Sequence, residues 1–530
     1  MDILRNSQKE IIFVFVAAFF LMISGIWLYP ITILDEAKNA AAAREMFLGH
    51  SFYPTFNEIL RSDKPPLHYV FMQLGYFIFG INELGARFFG SLLGAGFMAF
   101  FYQFLRNYAS LNLARLSVFM LLSAFFWVQE FHLAVPDPYL LVFLCSAWLF
   151  FFKSSQEQGQ KKRMNLLLFY LCVGFATLAK GPLAIVLTGL IGLLFLGFKK
   201  ELSYKKMMKY APIWGGLLIL LVAAPWFIWM HFTSDAAFTQ GFFVQHNFQR
   251  FGSEMEGHGG IFLITWAYVI LGFFPFGSFF LQAIIHGWKF FKRSDLTAFS
   301  MIILVVVLLF FSISSTRLPN YTLPAIPFLA ILTAGYFEEI MTYKTLLRWW
   351  NLVSIMLIVL VSFAIPIAVF NLFEHPVVNS NQLILTMIAT LLVFPGILFI
   401  RKFYIQEKVS ELIWSMGILW ILIGIFIFYF IYPTLSQAEP VIQASEIMKN
   451  NEIVVYESYD PAFNFNYQQT FIEIHGEENL KQFIQENPDV LVLTKDRRIK
   501  DVPYIQENFQ QIFNQPSLFE NYRSVILKKW

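Results

Sequence analysis

The amino-acid sequence predicts an α-helical polytopic membrane protein with about thirteen transmembrane helices and a small C-terminal α/β domain. Three observations lead there. Of 530 residues, 57% are hydrophobic, 19% aromatic and only 14% charged, against roughly 25% charged residues in a soluble domain. Apolar runs of spanning length recur along the first 435 residues, a span needing about 20 such residues. After Pro433 hydropathy falls, and alternating apolar segments take over. The formal net charge of +3 is uninformative, because where the charges lie matters more than their sum.

The predicted spans are 11–29, 85–105, 112–131, 138–152, 165–179, 182–198, 212–231, 261–285, 297–314, 322–340, 351–371, 382–400 and 411–432. The N-terminal run has no small-residue cleavage site and reads as a retained signal anchor. Segment 66–80, "PLHYVFMQLGYFIFG", is short and contains His68. If it lies along the interface, the loops holding Arg106 and Arg115, Lys161 to Arg163, Lys199 to Lys209, and Lys289 to Arg293 fall on the cytoplasmic side. If it spans, they all fall outside. The positive-inside rule selects the interfacial reading, with the N-terminus inside and the C-terminus outside. Residues 1–435 then form the membrane domain, with a first outer loop at 30–84, and 436–530 form the outer α/β domain. In that domain "EIVVYES", "TFIEIHG", "DVLVLTK" and "SVILKKW" read as strands and "ENLKQFIQE" as a helix. Cys145 and Cys172 both sit in apolar runs and read as core residues.

With this topology the unusual polar residues gather on one face. The first outer loop carries Asp35, Glu36, Arg44, Glu45, Asp63 and Lys64. Short turns carry Asp137 in "VPDPY" and Lys180 in "LAKGPLA". A long loop carries His246, Arg250, Glu254 and His258, and "STRLPNYTLPAIP" carries Arg317 and Tyr321. Charges one turn from an apolar span are costly when unpaired and often functional. Lys180 also reads as a snorkelling anchor, Asp35 and Glu36 as helix-capping residues, Lys64 as a solvated turn residue, His246 as a packing residue, and Arg250 as a partner for Glu254 at helical spacing. Arg and Lys at a membrane edge suit a lipid phosphate, Asp with His suits a divalent metal, and a carboxylate suits an acceptor hydroxyl. There is no Walker or Rossmann glycine fingerprint, so no nucleotide is expected.

The ordered set "LDEAKNAAAAREM", "SDKPPLHY", "INELGARFFGSLLG", "AVPDPYLLVF", "FATLAKGPLAIVL", "QHNFQRF" and "STRLPNYTLPAIPFLAIL" resembles the GT-C glycosyltransferases. It is most similar to bacterial 4-amino-4-deoxy-L-arabinose lipid A transferases, relatives of the protein O-mannosyltransferases. The resemblance implies a thirteen-helix GT-C fold with a periplasmic C-terminal domain in the bacterial inner membrane. It implies inverting transfer of a sugar from undecaprenyl phosphate to lipid A. By residue, it implies Asp35, Glu36 and Asp137 as the catalytic carboxylates, with Lys64 and Arg250 holding the donor phosphate and Arg317 placed with them. Asp63 and His246 would hold a divalent ion, zinc, magnesium or manganese, with Asp63 standing where the family often has Glu. Two other readings stay open: the same fold acting on a protein hydroxyl or another envelope glycan, and a lipid or solute transporter. Transporters usually place charges at the membrane midplane on broken helices, whereas here the charges collect at one edge.

Overall fold

The computed structural model describes residues 2–249, 261–372, 381–500 and 502–530. Each predicted apolar segment contains helix. Those that position the site are α1 (Asp2–Met22), α4 (Glu83–Tyr108), α5 (Leu111–Ser123), α6 (Phe125–Glu130), α7 (Asp137–Gln156), α8 (Gly159–Lys180) and α9 (Leu183–Phe198). Among the described residues nine helices are long and apolar enough to cross a membrane. The other predicted spans fall short by length or charge: the 112–131 segment is broken at Ala124 into α5 and α6, and α1 carries Arg5, Lys9 and Glu10 near its start. Helices 212–233 and 382–405 are apolar all round, yet their apolar windows are only 17% and 22% buried. Such faces need hydrocarbon around them rather than water, and the protein is a multi-pass membrane protein.

Segment 66–80 contains a helix, α3 (Leu67–Phe79), of 13 residues. At about 1.5 Å per residue it is roughly 20 Å long, too short for a hydrocarbon core of about 30 Å. It packs closely on α4. A Cβ on Gly75 would lie 1.9 Å from the Gly85 carbonyl oxygen, so glycine alone permits this approach. The Asn82 side chain caps α4 by accepting the Gly85 N–H at 2.8 Å.

The charged loops separate into two ends of the bundle. At one end Glu10 pairs with Arg106 at 3.6 Å and Arg115 at 2.6 Å. Lys199 pairs with Asp295, which also accepts from Gln156 at 3.0 Å, and Lys289 pairs with Glu339 at 2.5 Å. At the opposite end lie the first loop and the C-terminal domain. That loop holds α2 (Leu34–Leu48), a hairpin of β1 (Thr55–Phe56) and β2 (Ile59–Leu60), and α3. Asn57 and Glu58 at the hairpin turn both have positive φ, 53° and 66°, as a tight two-residue turn requires. Glu45 stabilises the turn, accepting from Thr55 Oγ1 at 2.7 Å and from the Asn57 and Glu58 N–H groups at 2.8 and 3.1 Å.

The C-terminal domain is a five-stranded mixed sheet, β3 (Ile453–Tyr456), β4 (Glu473–Ile474), β5 (Leu491–Lys495), β6 (Phe509–Pro516) and β7 (Arg523–Lys529), in the order β4-β3-β5-β7-β6. β3 is parallel to β4 and β5, and β7 is antiparallel to β5 and β6. The four strands and the helix (Glu477–Glu486) expected in the sequence are there, while β6 was not foreseen. Its "FQQIFNQP" is largely exposed and interrupted by a bulge between Gln511 and Phe513, so the alternation that marks a half-buried strand is absent. Both faces of the sheet are covered. Val455, Leu491, Leu493 and Ile526 join a core with the α2 alanines, Tyr69, Tyr76 and Phe463, while Val454, Val492, Val525 and Leu527 pack on Leu480 and Ile484. Hydrogen bonds lock the loop to the domain. Arg44 donates to the Asn464 and Gln469 carbonyls, and the Asn57 side chain donates to the Phe471 carbonyl at 2.9 Å and accepts its N–H at 2.7 Å.

Candidate functional site

Asp35 and Glu36 are adjacent near the start of α2, where successive side chains point about 100° apart. That angle sends them to different places. Glu36 turns into the bundle, where Arg87 donates to it twice, at 2.7 and 3.0 Å, and the Ala134 N–H donates at 2.8 Å. Glu36 and Arg87 are each 1% exposed. Asp35 turns the other way, into a cleft. It is surrounded by protein, yet 45% of its side chain stays accessible. Neither residue caps α2: the N-cap is Ile33, with no side-chain bond.

Two cations hold Asp35. Lys64 Nζ lies 3.4 Å from one carboxylate oxygen and Arg61 Nη2 lies 3.5 Å from the other. Burial raises the Asp35 pKa, but Lys64 and Arg61 outweigh burial and hold the carboxyl below its usual range. Arg61 also grips Asp63 through Nε at 2.7 Å and Nη2 at 3.1 Å. The Pro65-Pro66 pair, both buried, restricts the Lys64 backbone and starts α3 directly afterwards. The "RSDKPP" stretch is therefore a rigid bracket that presents two cations and a carboxylate to α2.

The second part of the site comes from the helix ends. Asp137 opens α7 and Lys180 closes α8, and the two form an ion pair. Lys180 also lies 5.0 Å over the Tyr321 ring. Glu130, the last residue of α6, is 3% exposed, and its Oε1 has no hydrogen-bond partner among the described residues. The charges of Asp137, Lys180 and Asp35 all reach Glu130, and that of Lys180 reaches Asp35, so the two parts share one electrostatic environment. Four carboxylates, Asp35, Asp63, Glu130 and Asp137, thus meet three cations, Arg61, Lys64 and Lys180. Behind them Arg61 Nη1, Asn39 Nδ2, His68 Nδ1 and the Tyr69 hydroxyl are buried without partners among the described residues. Unsatisfied buried donors and acceptors carry a desolvation penalty, which a polar ligand or ordered water in the cleft would relieve.

An apolar groove of about 620 Å³ begins beside Lys180, between Thr177 on α8, Pro182 just before α9, Ile185 on α9, Ile219 and Phe227 on helix 212–233, and Phe243. Helix 240–249 brings this wall to the bracket: a Cβ on Gly241 would lie 2.2 Å from Ser62 Oγ. The expected site residues fall into four groups. Asp35, Asp63, Lys64 and Asp137 come together. Glu36 lies apart, buried against Arg87. Arg250 and the side chain of His246 lie outside the described residues, and Arg317 donates to the Ser312 carbonyl at 3.0 and 3.3 Å.

The sequence shows Arg61 clustered with Asp63 and Lys64 but assigns it no role, and it does not single out Glu130. Glu130 was within reach, because an ionisable residue inside an apolar span is a functional candidate by default. Arg61 was not, since a guanidinium in a polar loop looks solvated until its carboxylate partners are placed. For a divalent ion, no group of three His, Cys, Asp or Glu residues gathers among the described residues. Both Asp63 carboxylate oxygens are already engaged by Arg61. The described residues therefore do not form a metal site by themselves.

Comparison with known proteins gives a consistent picture. Residues 63–229 match a family model described as dolichyl-phosphate-mannose-protein mannosyltransferase. An uncharacterised protein of Aquifex aeolicus is 27% identical over 335 residues, which are 63% of this chain and 64% of that one. An undecaprenyl phosphate-alpha-4-amino-4-deoxy-L-arabinose arabinosyl transferase of Enterobacter sp. is 26% identical over 360 residues, 66% of this chain and 64% of that one. The corresponding protein of Shewanella sediminis is 28% identical over 341 residues, 62% and 60% of the two chains. The chain thus spans 60–64% of the length of these relatives. A crystal structure of ArnT from Cupriavidus metallidurans bound to undecaprenyl phosphate superimposes with a TM-score of 0.77 at 18% identity, covering 97% of each chain. The fold is ArnT-like, of the GT-C type.

Proposed function

We propose that the protein is a polyprenyl-phosphate-sugar glycosyltransferase of the bacterial inner membrane, working at the periplasmic face. The observation that carries this is the accessible Asp35 held between Lys64 and Arg61, in a cluster of charges that reaches Lys180, whose neighbours Thr177 and Pro182 line an apolar groove. A groove with cations at its mouth suits a lipid with an anionic head. The donor's polyprenyl chain lies in the groove along Ile185, Ile219 and Phe243, and its phosphate meets Lys64 and Lys180. The relatives named for undecaprenyl phosphate arabinosyl transfer and the ArnT fold support a lipid-linked donor.

The reaction is an inverting displacement at the anomeric carbon. The bond from that carbon to the phosphate oxygen breaks, the bond to the acceptor oxygen forms, and polyprenyl phosphate leaves. Negative charge grows on the leaving phosphate, where Lys64 and Lys180 are already oriented, and fixed charges of this kind stabilise a transition state without reorganising. Asp35 faces the acceptor: it positions an anionic phosphate acceptor or takes the proton of a hydroxyl. Asp137, fixed by Lys180, and Glu130 border the sugar. The acceptor proposed is lipid A, as the resemblance in the sequence implies, with a protein hydroxyl or another envelope glycan as the other candidates. The resemblance also implies a divalent ion between Asp63 and His246, but Arg61 engages both Asp63 oxygens and the proposed transfer does not depend on the ion.

The test is transfer of a radiolabelled sugar from undecaprenyl phosphate by the protein in nanodiscs containing lipid A. Product formed by wild type and reduced at least 100-fold in D35N supports the reading. Full activity in D35N removes Asp35 from catalysis, and solute uptake without transfer overturns the enzyme reading.

A further inference from the structure

The C-terminal domain has a second cavity, of about 430 Å³, lined by Ser458, Lys495, Arg497, Arg498 and Tyr522. Its volume falls within the range of about 300–1,000 Å³ usual for small-molecule sites. Its position follows from the sheet topology. β3 and β5 are parallel neighbours, so their C-terminal ends lie side by side. From β3 the chain turns to β4 on one side, and from β5 it continues to β6 and β7 on the other. Connections diverging in this way leave a crevice at the strand ends, where open α/β sheets bind ligands. Ser458 follows β3, while Lys495, Arg497 and Arg498 end and follow β5.

The crevice is cationic. Among the described residues no carboxylate lies within ion-pair distance of Lys495, Arg497 or Arg498: Arg497 donates to the Asn521 carbonyl, Arg498 Nε lies 3.3 Å from Ser458 Oγ, and Lys495 Nζ lies 3.7 Å over the Tyr522 ring. Four carboxylates are near, counting Glu439, whose charge reaches Tyr522, and Asp460, which interacts with the Tyr522 hydroxyl. Asp496 accepts the Arg523 N–H at 3.1 Å, Asp460 is 3% exposed and accepts the Ala462 N–H at 2.9 Å, and Glu520 is drawn towards the Leu34 N–H. Asp460 and Glu520 lie nearest Lys495 and their charges are felt there, which leaves the exposed Arg497 and Arg498 as the cations free of a carboxylate within ion-pair distance among the described residues. Burial also lowers the Lys495 pKa, and Lys38 adds to that repulsion.

The crevice adjoins the site already described. Lys38 lies one turn after Asp35 on α2 and close enough to Lys495 and Glu520 for its charge to be felt at both. Glu520 faces Leu34, the residue before Asp35. Phe519, on the same loop, lines the small hollow beside Glu36 and Arg87.

We infer that the crevice of Ser458, Lys495, Arg497, Arg498 and Tyr522 receives a phosphate monoester on the acceptor's head group and holds the acceptor beside α2 while another of its oxygens reaches Asp35. A phosphate monoester carries about −1.5 to −2 charges at pH 7 and matches several cations at once, with arginine able to bind two of its oxygens. A carboxylate would need only one of them. The inference rests on the transferase reading for the acceptor's role, but the binding site stands without it.

Arg497 and Arg498 are both exposed, so R497A/R498A preserves the fold. Calorimetric titration of the full-length protein in neutral detergent compares glucosamine 1-phosphate, glucosamine and inorganic phosphate. Glucosamine 1-phosphate is expected to bind wild type and K64A alike and at least tenfold more weakly to R497A/R498A, with no binding of glucosamine. Absence of binding to wild type, or equal binding to R497A/R498A, overturns the site. Inorganic phosphate binding as tightly as the sugar phosphate makes it a free-phosphate site and overturns the head-group assignment. In the transfer assay R497A/R498A should raise KM for a phosphorylated acceptor about tenfold and leave kcat and the donor KM within twofold. An unchanged acceptor KM overturns the acceptor role. If no lipid-linked sugar is transferred by wild type, the transferase reading fails and the titration still decides the site.

Discussion

Arg87 binds both oxygens of Glu36, at 2.7 and 3.0 Å, while its Nη1 holds the Ile26 and Tyr29 carbonyls at 2.7 and 3.0 Å. One guanidinium thus ties α4 to the loop after α1 and to the start of α2, and thereby fixes the helix that carries Asp35. Breaking a buried pair leaves an uncompensated charge and costs on the order of 3–5 kcal/mol. R87A is expected to destabilise by that amount, read as a lower unfolding temperature in detergent. R87K, lacking the planar fork, should recover less than half of the loss. E36Q/R87M, which removes both charges, should be milder than R87A alone.

Asp35 is held below the ordinary carboxylate pKa by Lys64 and Arg61 against burial, the ordinary value being about 3.9. A depressed folded pKa means that the ionised form and its contribution to stability are present above the unfolded pKa. Both are lost only as pH falls through the lower folded value. The acid limb of turnover set by Asp35 is therefore expected below about pH 4. K64A should move that limb upward as well as lowering kcat. An acid limb near pH 6 that does not respond to K64A would assign it to a different group.

Glu439, at the junction of the membrane and C-terminal domains, is 1% exposed, and burial and then the Asp460 charge raise its pKa to about 8. The sign is opposite to that of Asp35. The folded state holds the proton more tightly than the unfolded state, so stability is greatest below the ordinary Glu value of about 4.3 and declines until about pH 8. Unfolding followed by tryptophan fluorescence should show lower stability at pH 8 than at pH 5, by a few kcal/mol in order of magnitude. E439Q should flatten that slope.

Chelation tests the role of Asp63. Arg61 already engages both of its carboxylate oxygens. Exhaustive EDTA treatment is expected to leave turnover within about twofold, and R61A should lower it by at least tenfold. A loss above tenfold on chelation, reversed by one divalent ion, would make Asp63 and His246 a required metal pair.

Much of the site was legible because charge is scarce in this chain. In a sequence of apolar spans, Asp35, Asp63, Lys64, Asp137 and Lys180 stand out, and proline or glycine beside several of them marks helix ends. β6 and the role of Arg61 were not legible, because an exposed edge strand has no apolar alternation and the partners of a loop arginine are not written in its neighbours. Glu36 looked equivalent to Asp35 by type and position, yet it serves the bundle and not the cleft.

The chain's composition and periodicity were enough for the membrane class, the helical segments, the mixed C-terminal domain and the shortlist of ionisable groups, since burying apolar surface and satisfying backbone polar groups are local requirements readable at spacings of two to four residues. The pairing of Lys64 with Asp35, of Lys180 with Asp137 and of Arg87 with Glu36 spans 29, 43 and 51 residues. Such pairings depend on which helix faces which, and that follows from packing across the whole bundle, where a turn of 100° along α2 is enough to separate a cleft carboxylate from a structural one.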